Sequence, residues 1–292
     1  SNAANGYITG NSEMNTHKKA ILESAVKYAA FAVLYLILLF PFAYMVLKSL
    51  MTVADANAPV VKFFPSQITF ENYAIFVDYA KYFLNSFIVV IVSAFFTPFV
   101  SCVIAYPLAR NNFKGKKVVF ALVMSTAMIP YAVLQIPQYF LFVQFGLVNK
   151  LASQYIGSFF GGSGIQIFLI IQFLRGIHTA IEDAAKIDGA NKAQIFFYIA
   201  LPLCLNVLIY IGIGVAIGKW NDFQGPLIYL RKDEVRTMAV AFYYHFGSSG
   251  DASLLTNVKM AMAVCMTVFP AVLFFCFQKQ MIGGIKLGAV KG

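Results

Sequence analysis

The stretch YFLNSFIVVIVSAFFTPFVSCVIAYPLA, from Tyr82 to Ala109, contains no charged residue. A helix needs roughly 20 consecutive apolar residues to cross a bilayer, so this stretch predicts a membrane span. Only 12% of the 292 residues are charged and 60% are hydrophobic, whereas soluble domains are roughly 25% charged. Together, the run and the composition indicate an integral membrane protein.

Five further uncharged runs are also long enough to cross a membrane. The predicted fold is therefore all-α, a polytopic membrane protein with six transmembrane helices. The second and fifth helices are expected at about 83–108 and about 203–220. The six runs are Tyr28–Leu47, Tyr82–Ala109, Val118–Asn149, Leu151–Leu174, Ala193–Gly218 and Met260–Gln278.

Two of these runs contain interruptions. The third is too long for one helix, so its tail from Phe145 to Asn149 is expected to turn on the outer side. The fourth contains Gly161-Gly162-Ser163-Gly164, and each glycine weakens a helix by roughly 1 kcal/mol relative to alanine. We therefore expect irregular backbone there, either a broken helix or a loop before a short span ending near Arg175.

Basic residues predict the orientation. Arg110, Lys114, Lys116 and Lys117 share one short connection between two runs, and short loops rich in Lys and Arg stay on the cytoplasmic side. With six spans, both termini and the loop at 179–202 are then cytoplasmic as well. The net charge of +10 is interpreted as this topology signal, so no nucleic-acid partner is expected.

The two ends of the chain are expected to lie outside the transmembrane domain, which is predicted at 25–280. Ser1-Asn2-Ala3 is typical of the remnant that tag cleavage leaves. The rest of 1–24 is polar and is expected to be loosely ordered, with a short amphipathic lead-in to the first helix as an alternative at 18–27. Residues 281–292 form a glycine-rich basic tail that is predicted to be cytoplasmic.

The cysteines predict neither a disulfide nor a metal site, the histidines predict no metal site, and no cofactor is expected to be bound by this chain. The cysteines lie in apolar runs without Cys-x-x-Cys spacing, and buried thiols behave as small hydrophobes. The histidines are far apart in sequence. The residues are Cys102, Cys204, Cys265, Cys276, His17, His178 and His245.

A polar loop with helix-favouring sequence follows the fourth run. Residues 179–187 predict a short helix with Thr179 as its cap. Lys186 follows Glu182 at i+4, the spacing of a helical ion pair. Acidic residues in the first turn, here Glu182 and Asp183, also favour a helix start.

A tight corner is predicted immediately after this helix. Asp188-Gly189 is a turn signal, because glycine adopts positive φ at little cost. A second short helix is predicted at 190–200, ahead of Pro202. Two short helices at a corner form a protrusion that fits a cleft in a partner. The alternative is an amphipathic connection lying on the membrane surface.

The spacing in this loop resembles the EAA loop of importer permeases driven by ATP-binding cassettes. The pattern is Asp183-Ala184-Ala185, three residues, Gly189, nine residues, then Ile199-x-Leu201-Pro202. Asp183 stands where the family usually has Glu, which conserves the charge. The likeness covers the chain from about Phe31 to its end and is most similar to the smaller permease of maltose and multiple-sugar importers. Further matching stretches are Asn85-Ser86, Ala105-Tyr106-Pro107-Leu108-Ala109-Arg110, Ile136-Pro137-x-Tyr139, Gly146-Leu147-x-Asn149, Trp220-Asn221-Asp222-Phe223 and Gly288-Ala289-Val290-Lys291-Gly292.

The resemblance implies a permease subunit in a bacterial inner membrane. Its partners would be a second, larger permease, two cytoplasmic ATPase subunits, an extracytoplasmic substrate-binding protein, a carbohydrate and lipid. The chain has no G-x-x-x-x-G-K-S/T phosphate-binding loop, so it is not expected to be an enzyme, and ATP and Mg²⁺ would be used by the partners. By the same resemblance the tail at 288–292 reaches towards the ATPases. The implied coupling residues are Glu182, Asp183, Ala184, Ala185, Asp188, Gly189, Ala190, Ile199, Leu201 and Pro202.

A translocation path needs polar groups within the helices, together with aromatic faces suited to sugars. The alternative for each polar residue is a bond to its own backbone or to a neighbouring helix. Lys219 and Asp222 would share a helix face if their helix continues. The main candidates are Asn85, Ser86, Gln135, Gln138, Tyr139, Asn206, Trp220, Asn221 and Asp222. The other candidates are Ser93, Thr97, Ser125, Thr126, Tyr131, Gln172, Tyr210, Lys219 and Phe223.

Two other functional classes are weighed against an importer permease. An ion-coupled transporter or channel usually places acidic or histidine residues in mid-span, and the six runs contain almost none. A membrane enzyme needs clustered carboxylates, histidines or a nucleophile with a base. No such grouping is found in the sequence.

Overall fold

A computed structural model describes the backbone of residues 2–247 and 256–289, with side chains at 22–247 and 256–281. Every regular element in these ranges is helical, which confirms the all-α prediction. The α-helices are α1 (Asn2–Ser49), α2 (Val53–Ala56), α3 (Ile75–Arg110), α4 (Lys116–Ser125), α5 (Tyr131–Gln144), α6 (Ala152–Tyr155), α7 (Gly164–Gly176), α8 (Ala180–Ile187), α9 (Lys192–Ile195), α10 (Leu201–Leu203), α11 (Leu205–Asn221), α12 (Gln224–Tyr229), α13 (Met238–Phe246) and α14 (Thr256–Ala289). Short 3₁₀ helices cover Glu71–Ala74, Ile156–Phe160 and Asp233–Val235, and a π-helix covers Phe196–Ala200.

Four helical segments of the described chain are long and apolar enough to cross a membrane. They are Leu22–Ser49, Glu71–Arg110, Ala152–Gly176 and Thr256–Met281. A fifth span is obtained if Lys192–Leu203 and Leu205–Asn221, which are bent by 69° at their junction, count as one. These segments coincide with five of the six predicted runs.

The third predicted run differs because it does not form one long helix. Its residues divide between α4 and α5, of 10 and 14 residues. The non-helical segment between them ends at Pro130, whose extended ψ of 134° precedes α5. The predicted turn after this run is present, with positive φ at Gly146 and Asn149.

Several predicted boundaries are corrected by the structure. Helix α1 begins at Asn2, so the expectation of a loosely ordered segment at 1–24 is wrong for the described residues. Helix α3 begins at Ile75, ahead of the predicted start at 83, because hydropathy excludes its first turns, which carry the charged residues Asp78 and Lys81. Of the tail at 288–292, Gly288 and Ala289 end α14, and the rest lies outside the described residues.

The glycine-rich segment forms a loop before a short helix, which is one of the two predicted alternatives. Gly161 has a φ of +94°, a value that favours glycine. Its neighbour Gly162 donates its N–H to Ser101 Oγ of α3 at 2.7 Å. Ser163 N then donates to Gln166 Oε1 at 2.9 Å as α7 begins. The irregular backbone is therefore satisfied by protein groups.

The chain forms two compact units, and the first contains α1, α2 and the start of α14 as far as Val264. Two buried asparagines organise its polar interior. Asn72 Nδ2 donates to the carbonyl oxygens of Ser49 and Met51 at 2.9 and 2.8 Å. Asn257 Nδ2 donates to Asn72 Oδ1 at 2.7 Å. These bonds pair polar groups that would be costly to bury alone.

The second unit contains α3 to α13 and the part of α14 from Cys265. Its main apolar cluster is built where α3, α7 and α11 pack together, next to the π-helix. Gly212 allows a close approach, since a Cβ there would lie 3.0 Å from Ala94 O of α3. The buried members of the cluster are Cys102, Ala105, Leu108, Ile167, Ile170, Ile171, Leu174, Phe196, Ala200, Cys204, Val207, Leu208 and Ile211.

Candidate functional site

The corner of the predicted coupling loop is a well-formed helix ending at Gly189, where φ is +86°. Gly189 N donates to Lys186 O at 3.1 Å, and Ala190 N donates to Ala185 O at 2.9 Å. This pair of bonds is the Schellman ending, which places a left-handed residue after the helix. Added atoms at 189 meet open space, but the backbone there favours glycine. The predicted turn is confirmed.

The second helix of the loop begins at Lys192 and not at 190 as predicted. Asn191 Oδ1 accepts from Gln194 N at 2.9 Å, and Asn191 N donates to Gln194 Oε1 at 2.8 Å. This reciprocal capping box satisfies two free backbone groups and fixes the helix start. The Asn-x-x-Gln spacing is the sequence signal that identifies this start.

The adjacent acidic residues of α8 face different surroundings. Glu182 is 4% exposed, whereas the Asp183 side chain is 55% exposed. Lys186 Nζ lies 2.7 Å from Asp183 Oδ1, so the predicted Glu182–Lys186 pair is not formed. The hydrogen bond from Lys186 lowers the pKa of the Asp183 carboxyl, which is therefore ionised at neutral pH. Thr179 precedes α8 without a side-chain capping bond, which corrects its predicted role.

Glu182 is instead held by two residues of α3. Arg110 Nε donates to Glu182 Oε1 at 2.7 Å, and the Tyr106 hydroxyl donates to Oε2 at 3.1 Å. Arg110 Nη2 also donates to Ile177 O at 3.1 Å. The Arg110 and Glu182 side chains are 9% and 6% exposed. The predicted coupling loop is therefore fastened to the end of α3 by a buried, charge-assisted network.

Sequence reasoning treated Arg110 as a topology signal and did not assign Tyr106 a role. Both residues lie in a stretch that carries the family resemblance, Ala105 to Arg110. Their partner Glu182 follows more than 70 positions later along the chain. Local periodicity cannot join residues so far apart, and only the packing of α3 beside α8 brings them together.

The remaining coupling candidates lie mostly on the outer surface of the loop. Asp183, Ala184, Asp188, Gly189 and Pro202 are exposed, and Ala185, Ala190, Ile199 and Leu201 are partly exposed. Two prominent residues were not predicted, Ile187 and Tyr198, which are 88% and 78% exposed. A cavity of about 310 Å³ in the corner is lined by Asp188, Gly189, Ala190, Gln194, Tyr198 and Ile199.

A larger cavity of about 570 Å³ lies between α3, α8 and α9. The Arg110–Glu182 pair and Tyr106 line it, and Lys186 and Lys192 also contribute. The inner side of α8 therefore meets α3 around a partly open space.

Two of the predicted path residues, Asn85 and Ser86, hold α3 against the segment that leads into α13. Asn85 Nδ2 donates to the carbonyl oxygens of Glu234 and Arg236, both at 2.9 Å. Met238 N donates to Ser86 Oγ at 2.8 Å. Both side chains are buried. In this conformation both side chains bond to neighbouring protein groups, as expected if they hold elements together rather than line a path.

Trp220 is also enclosed by protein. It is 5% exposed, and its Nε1 donates to Met266 O at 3.1 Å. The rings of Phe87 and Phe269 lie 5.2 and 4.3 Å from its ring, centroid to centroid. Its indole faces are therefore used in packing here, and neither is open for a sugar.

Three other path candidates, Gln135, Gln138 and Tyr139, meet α12 in what we call the α5–α12 cluster. Gln224 Nε2 donates to Gln135 Oε1 at 3.1 Å. The Tyr229 hydroxyl donates to Gln135 O at 3.3 Å and to Gln138 Oε1 at 3.4 Å. The rings of Tyr139 and Tyr229 stack at 6.4 Å. Gln135 Nε2 has no hydrogen-bond partner among the described residues.

The end of α11 corrects the predicted Lys219–Asp222 face. Helix α11 ends at Asn221, and Asp222 has extended backbone with a ψ of 116°. Lys219 Nζ donates to Gln154 O at 2.8 Å, and Asp222 Oδ1 accepts from Gly225 N at 3.1 Å. The two charged residues therefore do not share a helix face. Asn221, like Asn206 at the other end of α11, is exposed.

The secondary path candidates divide between local bonding and packing. Ser125 Oγ donates to Leu122 O at 2.8 Å, and Thr126 Oγ1 donates to Val123 O at 2.7 Å. Both follow the backbone-bonding alternative. Ser93 and Thr97 are buried, Tyr131 is exposed, and Gln172, Tyr210 and Phe223 are partly buried. The described residues contain no group of three His, Cys, Asp or Glu that could hold a metal ion.

Comparison with known families identifies the chain. Residues 99–285 match the family described as "Binding-protein-dependent transport system inner membrane component". The match runs from within α3 into α14 and includes the whole coupling loop. The chain belongs to this family. It is therefore an inner-membrane transport subunit of a system that depends on a binding protein, and the predicted resemblance is confirmed.

Curated relatives and a solved structure agree with this assignment. The melibiose/raffinose/stachyose import permease protein MelC of Bacillus subtilis is 33% identical over 256 residues, covering 86% of this chain and 91% of MelC. The arabinooligosaccharides transport system permease protein AraQ of Halalkalibacterium halodurans is 32% identical over 275 residues, covering 90% and 94%. A crystal structure of a bacterial ABC transporter involved in the import of alginate contains a chain of the same fold. It has a TM-score of 0.78 and 20% identity over 89% of this chain and 96% of that one.

Proposed function

We propose that this chain forms half of the translocation path of an ATP-driven importer for a sugar or oligosaccharide. The observation that carries the proposal is the Gly189 corner, an ordered protrusion with an exposed outer surface and an inner side fastened to α3. A corner of this kind is suited to a cleft on a cytoplasmic ATPase subunit. Closure of the ATPases would then move the loop and the helices attached to it.

The proposed topology has six spans, with both termini and the coupling loop in the cytoplasm. Helices α4 and α5 together would form the third span, with the break before Pro130 protected by neighbouring protein. The loop would then lie between spans four and five. The basic residues between α3 and α4 support this orientation. The permease domain is proposed at 25–280, followed by the tail at 281–292.

The proposed substrate class is a carbohydrate. MelC and AraQ are named for oligosaccharide transport, and the chain resembles both over most of its length. The α5–α12 cluster offers side-chain amides and the partly exposed ring of Tyr139, which are groups of the kind that bind sugars. Gln224 of this cluster is exposed, and so is Asn221 just before it in sequence. Polar side chains on spanning helices favour a protein interface or a water-filled path. We propose this cluster as this chain's contribution to the path.

The proposed assembly contains a second permease, two ATPase subunits and an extracytoplasmic binding protein. ATP and Mg²⁺ would be bound by the ATPases, because this chain has no phosphate-binding loop in its sequence. The chain itself would be a non-enzymatic subunit. The family name itself states the dependence on a binding protein.

The test is substrate-stimulated ATP hydrolysis by the assembled complex in proteoliposomes, with raffinose and arabino-oligosaccharides as probes. Gly189→Val places a branched side chain on left-handed backbone, and Asp183→Lys reverses an exposed charge. We expect each variant to reduce stimulation by about 10-fold or more, with the complex still recovered. Gly176→Val and Glu234→Lys are the matched controls, since both sites are open or exposed and lie outside the loop. Full stimulation by both loop variants would remove the coupling role.

A second measurement tests the division of labour between subunits. The purified chain should show no saturable binding of ATP with or without Mg²⁺, whereas the complete complex should bind both. Equilibrium binding of a fluorescent ATP analogue measures this directly. Saturable binding by the isolated chain would contradict the proposal.

A further inference from the structure

The buried ion pair between Arg110 and Glu182 suggests that residues of the coupling loop have two different functions, contact with the partner and attachment to α3. We propose that Arg110, Glu182 and Tyr106 form a brace that transmits movement of the loop to α3. They would be positioning residues that act through α3, while the outer face contacts the partner. This inference rests on the proposed coupling function.

The first argument is the completeness of the network. Both oxygens of Glu182 are bonded, one to Arg110 Nε at 2.7 Å and the other to the Tyr106 hydroxyl at 3.1 Å. Arg110 uses a further N–H on Ile177 O, just ahead of α8, at 3.1 Å. Several bonds in different directions fix α8 against α3 more firmly than a single contact. The planar guanidinium also gives the pair a defined geometry.

The second argument is an apolar attachment on the other side of the corner. The Tyr106 ring lies 5.3 Å from the ring of Phe196, which begins the π-helix. Phe196 is buried in the cluster that also contains Cys102 and Leu108 of α3. The two arms of the corner are therefore both attached to the same end of α3. Displacing the loop while α3 stays still would break both attachments.

The third argument is the contrast in exposure among neighbouring residues of α8. Asp183 and Lys186 pair with each other at the solvent-exposed rim of the cavity between α3, α8 and α9, with side chains 55% and 58% exposed. Glu182 lines the same cavity but is only 4% exposed, so it offers a partner almost no surface. A partner that contacts the exposed residues of the loop therefore reaches α3 through α8 and the Glu182 carboxylate. Buried ion pairs often contribute little net stability. A role in positioning α8 against α3 therefore explains better than stability why this pair is present.

The fourth argument is the position of α3 in the second unit. Its residues line the main apolar cluster together with those of α7 and α11. The close approach at Gly212 leaves little space for α3 and α11 to move independently. A displacement applied at Arg110 is therefore shared by the helices packed around it. Packed cores convert small local shifts into movements of whole elements.

The experiment uses the complete complex in proteoliposomes with raffinose, and measures the ratio of stimulated to basal ATP hydrolysis per assembled complex. Glu182→Gln and Arg110→Gln should each lower the ratio by about 10-fold. The double variant should be no worse than either single one, because both remove the same link. Tyr106→Phe, which keeps the ring on Phe196 and removes one hydrogen bond, should have a smaller effect of about 3-fold.

Controls at the far end of α3 separate a brace from general damage. Lys81→Gln and Asp233→Asn remove the same kind of ion pair from a half-exposed site and should leave the ratio unchanged. The brace is contradicted if Glu182→Gln keeps full stimulation, if the single effects multiply in the double variant, or if Tyr106→Phe changes nothing. If Asp183→Lys also keeps full stimulation, the coupling function itself fails. If only Asp183→Lys abolishes stimulation, the brace alone is wrong.

Discussion

Helix α3 carries an ion pair near each end, and the two pairs differ in burial. Lys81 contacts Asp233 at 2.7 Å, and Arg110 contacts Glu182 at 2.7 Å, yet the side chains are 50% and 41% exposed in the first pair and 9% and 6% in the second. At 1.5 Å per residue the pairs lie roughly 40 Å apart along the helix. The two ion pairs therefore have the same length but differ in solvent exposure.

The difference in burial indicates which end of α3 has a fixed geometry. Around Asp233, Lys81, Tyr82 and Arg236 all approach one carboxylate that water also reaches. If one of these donors to Asp233 is lost, the other donors and water can replace it. Around Glu182, each oxygen has one protein donor and water has little access. A change at that site has no local substitute, so its effect should reach the whole loop.

The largest effect on stability should come from breaking the buried pair. Glu182→Gln leaves the Arg110 guanidinium buried without a counter-charge, which costs about 3–5 kcal/mol in comparable cases. The Arg110→Gln/Glu182→Gln double variant should recover part of that loss, because no unpaired charge remains. Thermal unfolding of the purified chain can be followed by thiol labelling of buried Cys102 and Cys204, in a Cys265→Ser/Cys276→Ser background. Equal unfolding temperatures for the single variant and the parent would contradict the burial argument.

A smaller effect is expected at the opposite end of α3. The hydrogen bond from Lys81, followed by that from Tyr82, lowers the pKa of the Asp233 carboxyl. A lowered pKa means that the stabilisation is present above the unfolded-state pKa and is lost as pH falls through the folded value. Asp233→Asn should therefore reduce the unfolding temperature slightly at pH 7, as half-exposed pairs contribute little.

The pH dependence of the Asp233→Asn effect shows whether that effect is electrostatic. The difference between Asp233→Asn and the parent should shrink as pH falls below about 4, where the carboxyl of the unfolded parent takes up a proton. It should disappear once the folded carboxyl, whose pKa is lower, is neutral as well. Thermal scans at pH 7 and at acidic pH measure this. A difference that is constant with pH would show that the amide perturbs packing rather than charge.

The smallest effect on stability should come from Asp183 and Lys186. Both side chains are more than half exposed, so Lys186→Ala should leave the unfolding temperature of the purified chain unchanged within error. If this pair is nevertheless part of the docking surface, Asp183→Lys will reduce coupling without reducing stability. A large drop in unfolding temperature for Lys186→Ala would contradict the distinction between the exposed pair and the buried Glu182 in α8.

The elements that were predictable from the sequence are the ones governed by local rules. The uncharged runs predicted five of the spanning segments, because a bilayer imposes length and polarity on each helix separately. The turn at Asp188-Gly189 was predictable because glycine favours left-handed backbone. The break between α4 and α5 was missed, since hydropathy counts apolar residues and does not detect a non-helical segment ending at Pro130.

The candidate site was less predictable, because its contacts join distant residues. Glu182 and Asp183 are alike in charge, and only the packing of α3 beside α8 makes one carboxylate buried and leaves the other exposed. The sequence favours Trp220 as a residue that stacks on a sugar, but the rings of Phe87 and Phe269 pack against it. The Lys219–Asp222 face required a helix that ends one residue too early. Sequence identified the residue types, and tertiary structure decided their roles.

The most direct test is photo-crosslinking from the outer face of the loop in intact inner membranes. A photoreactive p-benzoylphenylalanine replaces Ile187, which is 88% exposed and next to the corner. The same amino acid at Phe160, 78% exposed and away from the loop, is the control. We predict an adduct between position 187 and an ATPase subunit, and none at 160. An adduct of 187 with lipid or with an extracytoplasmic protein, and none with an ATPase, would contradict the account.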